Sequence, residues 1–218
     1  MAIFEATADT LKKSDSAVVL DLGAMMSMGL CVVGALMEEK GLTKNVKLVA
    51  TNEDLRFTVK NAIAEAAHRL DRRTKERFAA SGQRLKPLLN MEELRFVAQH
   101  VKHVVFESGI DTLDLSVLKQ KHAPNGFSII HEHSGGLQKH ENPSEAFSTI
   151  LDVLHPQNGM FITTSPIDVL PGAVADIQNH GFTLYREIIS QQKLFKEAYI
   201  ITGSEAPVDA FMTTLLTY

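Results

Sequence analysis

Three stretches of the sequence hold the residue types that do chemistry. The first, His131-Glu132-His133, is followed by His140 and Glu141 in HEHSGGLQKHE. On an extended strand His131 and His133 point to the same side, so they could hold a metal with His140 or Glu141 as third ligand. A second reading makes His133 or Glu132 a general base that takes a proton from a substrate oxygen or nitrogen, since an imidazole titrates near neutral pH. A third leaves all of them as polar residues at a strand end, exposed and satisfied by water. No other His or Cys pair is read at ligand spacing, so no metal centre is expected.

The second stretch, SAVVLDLGAMMSMG, runs from Ser16 to Gly29 and ends an apolar run with an acid and a glycine. It looks like the approach to a nucleotide or phosphate loop, but Met25 stands where such a loop would need glycine for close backbone approach. The third stretch is basic. Between residues 61 and 90, Arg69, Arg72, Arg73, Lys75, Arg77, Arg84 and Lys86 face only Glu65, Asp71 and Glu76. Such a run could attract an anionic substrate or RNA by phosphate contact. Phe78 is the one Phe, Tyr or Trp among these residues, which disfavours base stacking, and a solvated helix face is the expectation.

These residues need elements to position them. Ala17–Leu22 is too uniformly apolar for a half-exposed strand and predicts a buried parallel one. Leu30, Val33 and Met37 follow at helical spacing, with Gly41 at the C-cap position. Residues 46–50 predict a second strand and 55–70 a helix, while a short helix over 2–13 precedes them all. Residues 62–100 are helix-forming but broken at Ser81-Gly82 and Lys86-Pro87, and predict an inserted helical segment. Strands are predicted at 104–106, 127–131 and 160–164, and an antiparallel pair at 182–189 and 195–202.

Between these strands, Asn142-Pro143-Ser144-Glu145 predicts a helix start with a capping Asn, Pro at the first position and a capping-box Glu. Phe147, Ile150, Leu151 and Leu154 then line one face. A further helix is expected over 171–179. Strands alternating with helices and closed by a hairpin imply an α/β fold in three layers, with a mostly parallel seven-stranded sheet.

The segment GFSIIHEHSGGLQKHENPSEAFSTILDVLHPQNGMFITTSP resembles the second half of class I S-adenosylmethionine-dependent methyltransferases, and GFTLYREI with KEAYIITG resembles their closing hairpin. The resemblance implies one Rossmann-like domain over residues 1–218 carrying the 62–100 insertion. It implies S-adenosylmethionine as cofactor and methyl transfer to an acceptor that the sequence does not specify.

The family's acid-x-Gly-x-Gly-x-Gly loop falls here on Asp21, Gly23, Ala24, Met25 and Ser27, which keeps the acid and one of three glycines. The ribose-binding acid falls on Asn52 and Glu53, because a carboxylate can accept both hydroxyls. The adenine-side step falls on Asp111 and Thr112, and His131 lies on the cofactor side of the fourth strand. His133 and Glu132 are the implied catalytic residues. The joint departures at Met25, Ser27, Asn52 and Ile110 support an alternative, a methyltransferase-like binding or scaffold protein without catalysis. A third alternative is a STAS-like regulatory module, which residues 18–36 and 47–56 also resemble, with Ser27 at a helix N-terminus.

Composition bounds the rest. Apolar residues make up 44% and charged residues 22%, typical of a globular domain. A net charge of -4 and a pI near 6.1 give no general attraction to nucleic acid or anionic membrane. No run of 18 apolar residues predicts a membrane span, and no signal pattern opens the chain, so a cytoplasmic protein is expected. The single cysteine, Cys31, lies among apolar residues and predicts a buried, inert thiol.

Overall fold

A computed structural model describes residues 2–11, 16–23, 28–39, 41, 46–52, 96, 99–108, 114–132, 137, 140–188 and 197–216. These form seven strands, β1 (Ala17–Leu22), β2 (Val46–Asn52), β3 (Val104–Ser108), β4 (Ile129–Glu132), β5 (Met160–Thr163), β6 (Thr183–Ile188) and β7 (Glu197–Thr202). The helices are α1 (Ala2–Leu11), α2 (Met28–Glu39), α3 (Leu115–His122), α4 (Pro143–Val153), α5 (Ala173–Asn179) and α6 (Val208–Leu216), with a 3-10 turn at Val101–His103.

The sheet order is β3-β2-β1-β4-β5-β7-β6, and only β7 runs against its neighbours. Register sets the strand ends level: Asp21 lies between Ala50 on β2 and His131 on β4. The chain thus steps outward from β1 to β3, then returns past β1 to begin β4. The resulting switch point, between β1 and β4, is where open α/β sheets leave a crevice at the carboxyl ends of their strands.

Alternating side chains feed two cores. On one face Val19, Leu48, Ile129 and Ile200 pack under α1, α2 and α6, against Ile3, Leu30, Val33 and Phe211. On the other face Leu20, Val49, Ile130 and Ile201 pack under α3, α4 and α5, against Leu118, Phe147, Ile150 and Ile177. Because both faces are covered, β1 shows no polar alternation: five of its six residues are buried. Phe147 and Phe161 anchor the second core with ring centroids 6.2 Å apart, each contributing roughly 2–3 kcal/mol by leaving water. β6, at the sheet edge, has no buried residue.

The strand starts of the C-terminal half are locked by main-chain contact. Phe127 N–H donates to Val153 O and His155 N–H to Phe127 O, both at 2.9 Å. A Cβ on Gly126, at φ 102°, would lie 2.6 Å from the His155 backbone, and one on Gly203 would lie 2.2 Å from Gln157 O. Only residues without a side chain allow the turn after α4 to lie this close. This pairing also explains why β4 begins at Ile129 rather than 127: Phe127 bridges Leu154 outside the main ladder.

The cap of α4 differs from its expected form. Asn142 Oδ1 accepts from Glu145 N–H (3.3 Å) and Pro143 takes the first helical position, as the sequence predicts. Glu145 Oε2, however, takes its bond from Asn142 Nδ2 (2.9 Å) rather than from the backbone, because Asn142 N–H is already donated to His140 Nδ1 at 3.1 Å. α3 and α6 were not expected from the sequence. The predicted helix at 55–70, the basic run, and all of the 62–100 insertion except residues 96, 99 and 100 lie outside the described residues.

The STAS-like alternative does not account for this fold. Its resemblance left the C-terminal half unplaced, whereas that half supplies β4, β5, β6 and β7 of one continuous sheet.

Candidate functional site

The apolar run of β1 stops at Asp21, which is 5% exposed, and the chain turns at Gly23 with φ 67°. A side chain is strained at this φ, so glycine is the residue the turn admits without cost. A Cβ built on Gly23 would meet no atom of the described residues within 4 Å. The buried hydroxyl of Thr51, on the neighbouring β2, spans the two strand ends: it accepts from Gly23 N–H at 3.4 Å and donates to Asp21 O at 3.5 Å. Both bonds are long, and they orient rather than clamp the turn.

His131 and Glu132, adjacent on β4, face opposite layers. His131 turns toward α1 and is fully buried. Its Nε2 lies 2.9 Å from Thr7 Oγ1. Because the Thr7 hydroxyl donates its one proton to Ile3 O (2.8 Å), its oxygen must accept from the imidazole, which places a proton on Nε2. Phe4 meets the same ring edge-on, 5.1 Å between centroids. The Phe4 ring also rests on α2 at Gly29, where a Cβ would come within 2.0 Å of it. The imidazole is thereby held between α1 and the sheet.

Glu132 is 2% exposed on the opposite face. Its Oε2 accepts from the hydroxyls of Thr163 (2.5 Å) and Ser165 (2.8 Å), and its Oε1 from Leu137 N–H (3.2 Å). The Ser165 N–H in turn donates to Thr163 Oγ1 at 2.9 Å. Hydroxyl and amide dipoles, all aimed at one carboxylate, stabilise it where water is excluded. The reading of exposed strand-end polar residues is therefore corrected for both His131 and Glu132. Burial and internal hydrogen bonds take the place of water.

Of the other expected site residues, Asn52 closes β2 opposite Ser108 of β3. Ala24, Met25, Ser27, Glu53, Asp111, Thr112 and His133 lie outside the described residues. His140, considered as a third metal ligand, serves the N-terminus of α4 instead, with its Nδ1 accepting from Asn142 N–H. Cys31 is buried against the site from α2, and desolvation together with the nearby Asp21 charge pushes its thiol up to about 11. It is the inert cysteine the sequence predicts.

The expectation that no other histidine pair stands at ligand spacing is corrected by His100 and His103, three residues apart. They and Glu38 bring three ligand atoms within 4.8 Å of one another. The sequence showed the pair's spacing but could not show that Glu38, 62 residues before His100, would meet it.

No protein-family model matches the sequence, and no curated protein matches it. Solved structures do. MnmC2 from Aquifex aeolicus is similar over 99% of this chain and 65% of that one, at 11% identity and a TM-score of 0.58. The plantazolicin methyltransferase BamL, solved with a triazolic desmethylPZN analog and SAH, is similar over 93% of this chain and 83% of that one, at 8% identity and a TM-score of 0.54. This chain thus spans slightly less than two thirds of MnmC2. The fold is that of class I S-adenosylmethionine-dependent methyltransferases, with a seven-stranded, mostly parallel sheet closed by an antiparallel β6–β7 pair.

Proposed function

We propose that the protein binds S-adenosylmethionine in the crevice at the carboxyl ends of β1 and β2 and transfers its methyl group to an acceptor. The observation that carries this reading is Gly23: a left-handed turn directly after β1, beside the switch point, where an added Cβ would touch none of the described residues. When bound, the cofactor supplies a methyl group on a sulfonium, which leaves the protein mainly the task of positioning.

The chain's own residues divide that task. Gly23 keeps its backbone free of a side chain so that the cofactor can approach, and Thr51 orients its amide. Asn52 ends β2, where ribose hydroxyls would need an acceptor, and the family resemblance assigns Glu53 to the same task and Asp111 with Thr112 to the adenine side. Glu132 is buried and accepts from three internal donors, two on Oε2 and one on Oε1. It therefore acts as a positioning residue, holding the Leu137 amide and the β5 end at fixed places around the crevice. His133, next along the chain, is left as the candidate base for an acceptor proton.

Isothermal titration of the full chain with S-adenosylmethionine and with its demethylated product tests the reading. Saturable binding near micromolar concentration is expected, and absence of heat at millimolar ligand overturns it. Gly23→Val should weaken that binding at least about tenfold, because a β-branched residue at this φ costs roughly 1–3 kcal/mol and fills the adjoining space.

A second reading, a binding or scaffold protein without catalysis, is favoured by one observation: both His131 and Glu132 are bonded inward. It predicts cofactor binding without turnover over a panel of acceptors.

A further inference from the structure

We infer that Glu38, His100 and His103 form a binding site for a divalent transition cation of the zinc class. The site lies at the end of the sheet opposite the crevice. Glu38 stands in the last turn of α2, one turn before Gly41, whose N–H donates to Glu38 O at 3.1 Å. His100 and His103 lie in the segment that leads into β3 at Val104.

The geometry suits tetrahedral coordination. Ligand atoms 2.0–2.2 Å from a tetrahedral zinc lie ~3.3–3.5 Å from one another. Glu38 Oε2 is 3.0 Å from His103 Nε2 and 3.6 Å from His100 Nδ1. His100 Nδ1 is buried and makes no hydrogen bond among the described residues, and the group it faces at 3.6 Å is the Glu38 carboxylate, a spacing a shared cation would fill. Packing holds both rings in place. His100 lies on Phe96 with 4.6 Å between centroids, and His103 Cβ would be 3.0 Å from a Cβ on Gly34 of α2. Lys102 occupies the other carboxylate oxygen, Glu38 Oε1, at 3.1 Å, while Oε2, which shares a hydrogen bond with His103 Nε2, is the oxygen that would turn to the cation.

Two imidazoles and one carboxylate select zinc, cobalt, nickel or copper over magnesium and calcium, which take oxygen ligands. A water would complete a tetrahedral set. Distance from Gly23 and β4 separates this site from methyl transfer. Its cation would pin α2 to β3 at the edge of the sheet.

The rival account is a plain ion-pair cluster of Glu38 with Lys102 and the two histidines. The test uses the full, tag-free chain, dialysed against chelator and titrated with Zn2+, with Co2+ as spectroscopic probe. One saturable site is expected, with the intense visible bands of tetrahedral Co2+. Glu38→Gln should weaken Zn2+ binding at least about tenfold, and the His100→Ala/His103→Ala double variant should abolish the bands. Lys102→Ala should tighten Zn2+ binding about threefold by removing a neighbouring positive charge, whereas a plain ion-pair cluster gives no such gain.

No saturable binding up to on the order of 100 µM Zn2+ overturns the inference. So does a site of unchanged affinity in a folded double variant, since its ligands would then be other histidines. Should the double variant fail to fold, Glu38→Gln decides: unchanged affinity refutes the site.

Discussion

Thr163→Val isolates the network on which Glu132 depends. The substitution keeps shape and β-branching but deletes one hydroxyl that does two things, donating to Glu132 Oε2 and accepting from Ser165 N–H at 2.9 Å. A hydrogen bond to a charged group contributes about 1.5–3 kcal/mol, and a buried amide left without an acceptor costs about 1–3 kcal/mol. Ser165 Oγ and Leu137 N–H still hold the carboxylate, so relaxation recovers part of the sum and a net loss of about 3 kcal/mol is expected. For a chain of 218 residues that corresponds to a fall in Tm of roughly 6–12 °C. Urea denaturation followed by far-UV circular dichroism measures it directly. A loss below about 1 kcal/mol, with unchanged slope, would refute the claim that these donors hold a buried charge in place.

Four further outcomes can be measured. Gly29→Ala should destabilise the fold by roughly 1–3 kcal/mol, because its Cβ would come within 2.0 Å of the Phe4 ring; pairing it with Phe4→Leu should recover part of the loss in the same assay. Cys31 should resist Ellman's reagent at pH 8 in the folded chain and react fully in denaturant, since burial pushes its thiol up to about 11. Burial alone would lower His180 from its ordinary value of 6.5, but hydrogen bonds to Asp152 (3.0 Å) and the Asp176 carbonyl (2.8 Å) raise it. Its contribution is therefore full below the unfolded value and is lost as pH rises through the folded one. Asp152→Asn should lower the His180 pKa seen by NMR and remove about 0.5 kcal/mol of stability at pH 5.5 but little at pH 8.5. Gly23→Ala should weaken S-adenosylmethionine binding less than Gly23→Val does, since both carry the strain at positive φ but only valine adds branched bulk; equal affinities across the pair would argue against the turn as the binding surface.

The sheet was legible because most of its strands carry apolar runs bounded by turn residues. Ala17–Leu22 and Met160–Thr163 are buried on both faces, and their composition says so. The start of α4 was legible because Asn142 and Pro143 suit one backbone position each. α3 was not legible, since its apolar stripe is Leu115 and Leu118 completed by His122, a residue that sequence patterns count as polar. His122 is buried there because Glu107, across on β3, takes its Nε2 at 2.6 Å. The same limit hid the environment of Glu132. Its partners, Thr163 and Ser165, lie more than thirty residues further along and meet it only through the parallel pairing of β4 with β5. The candidate site was legible as far as Asp21 and Gly23, whose spacing is local. It was not legible where burial decides whether a polar side chain faces a ligand or the core.

The turn after α4 has a consequence for how the molecule can move. Gly126, Gly159 and Gly203 bring three stretches of main chain into direct contact there, with no side chains between them to slide or repack. Close main-chain contact of this kind opposes hinge bending at this turn. Amides such as those of His155 and Gly203 should then be among the slowest to exchange with solvent, which makes this turn a fixed base for the strands that rise from it.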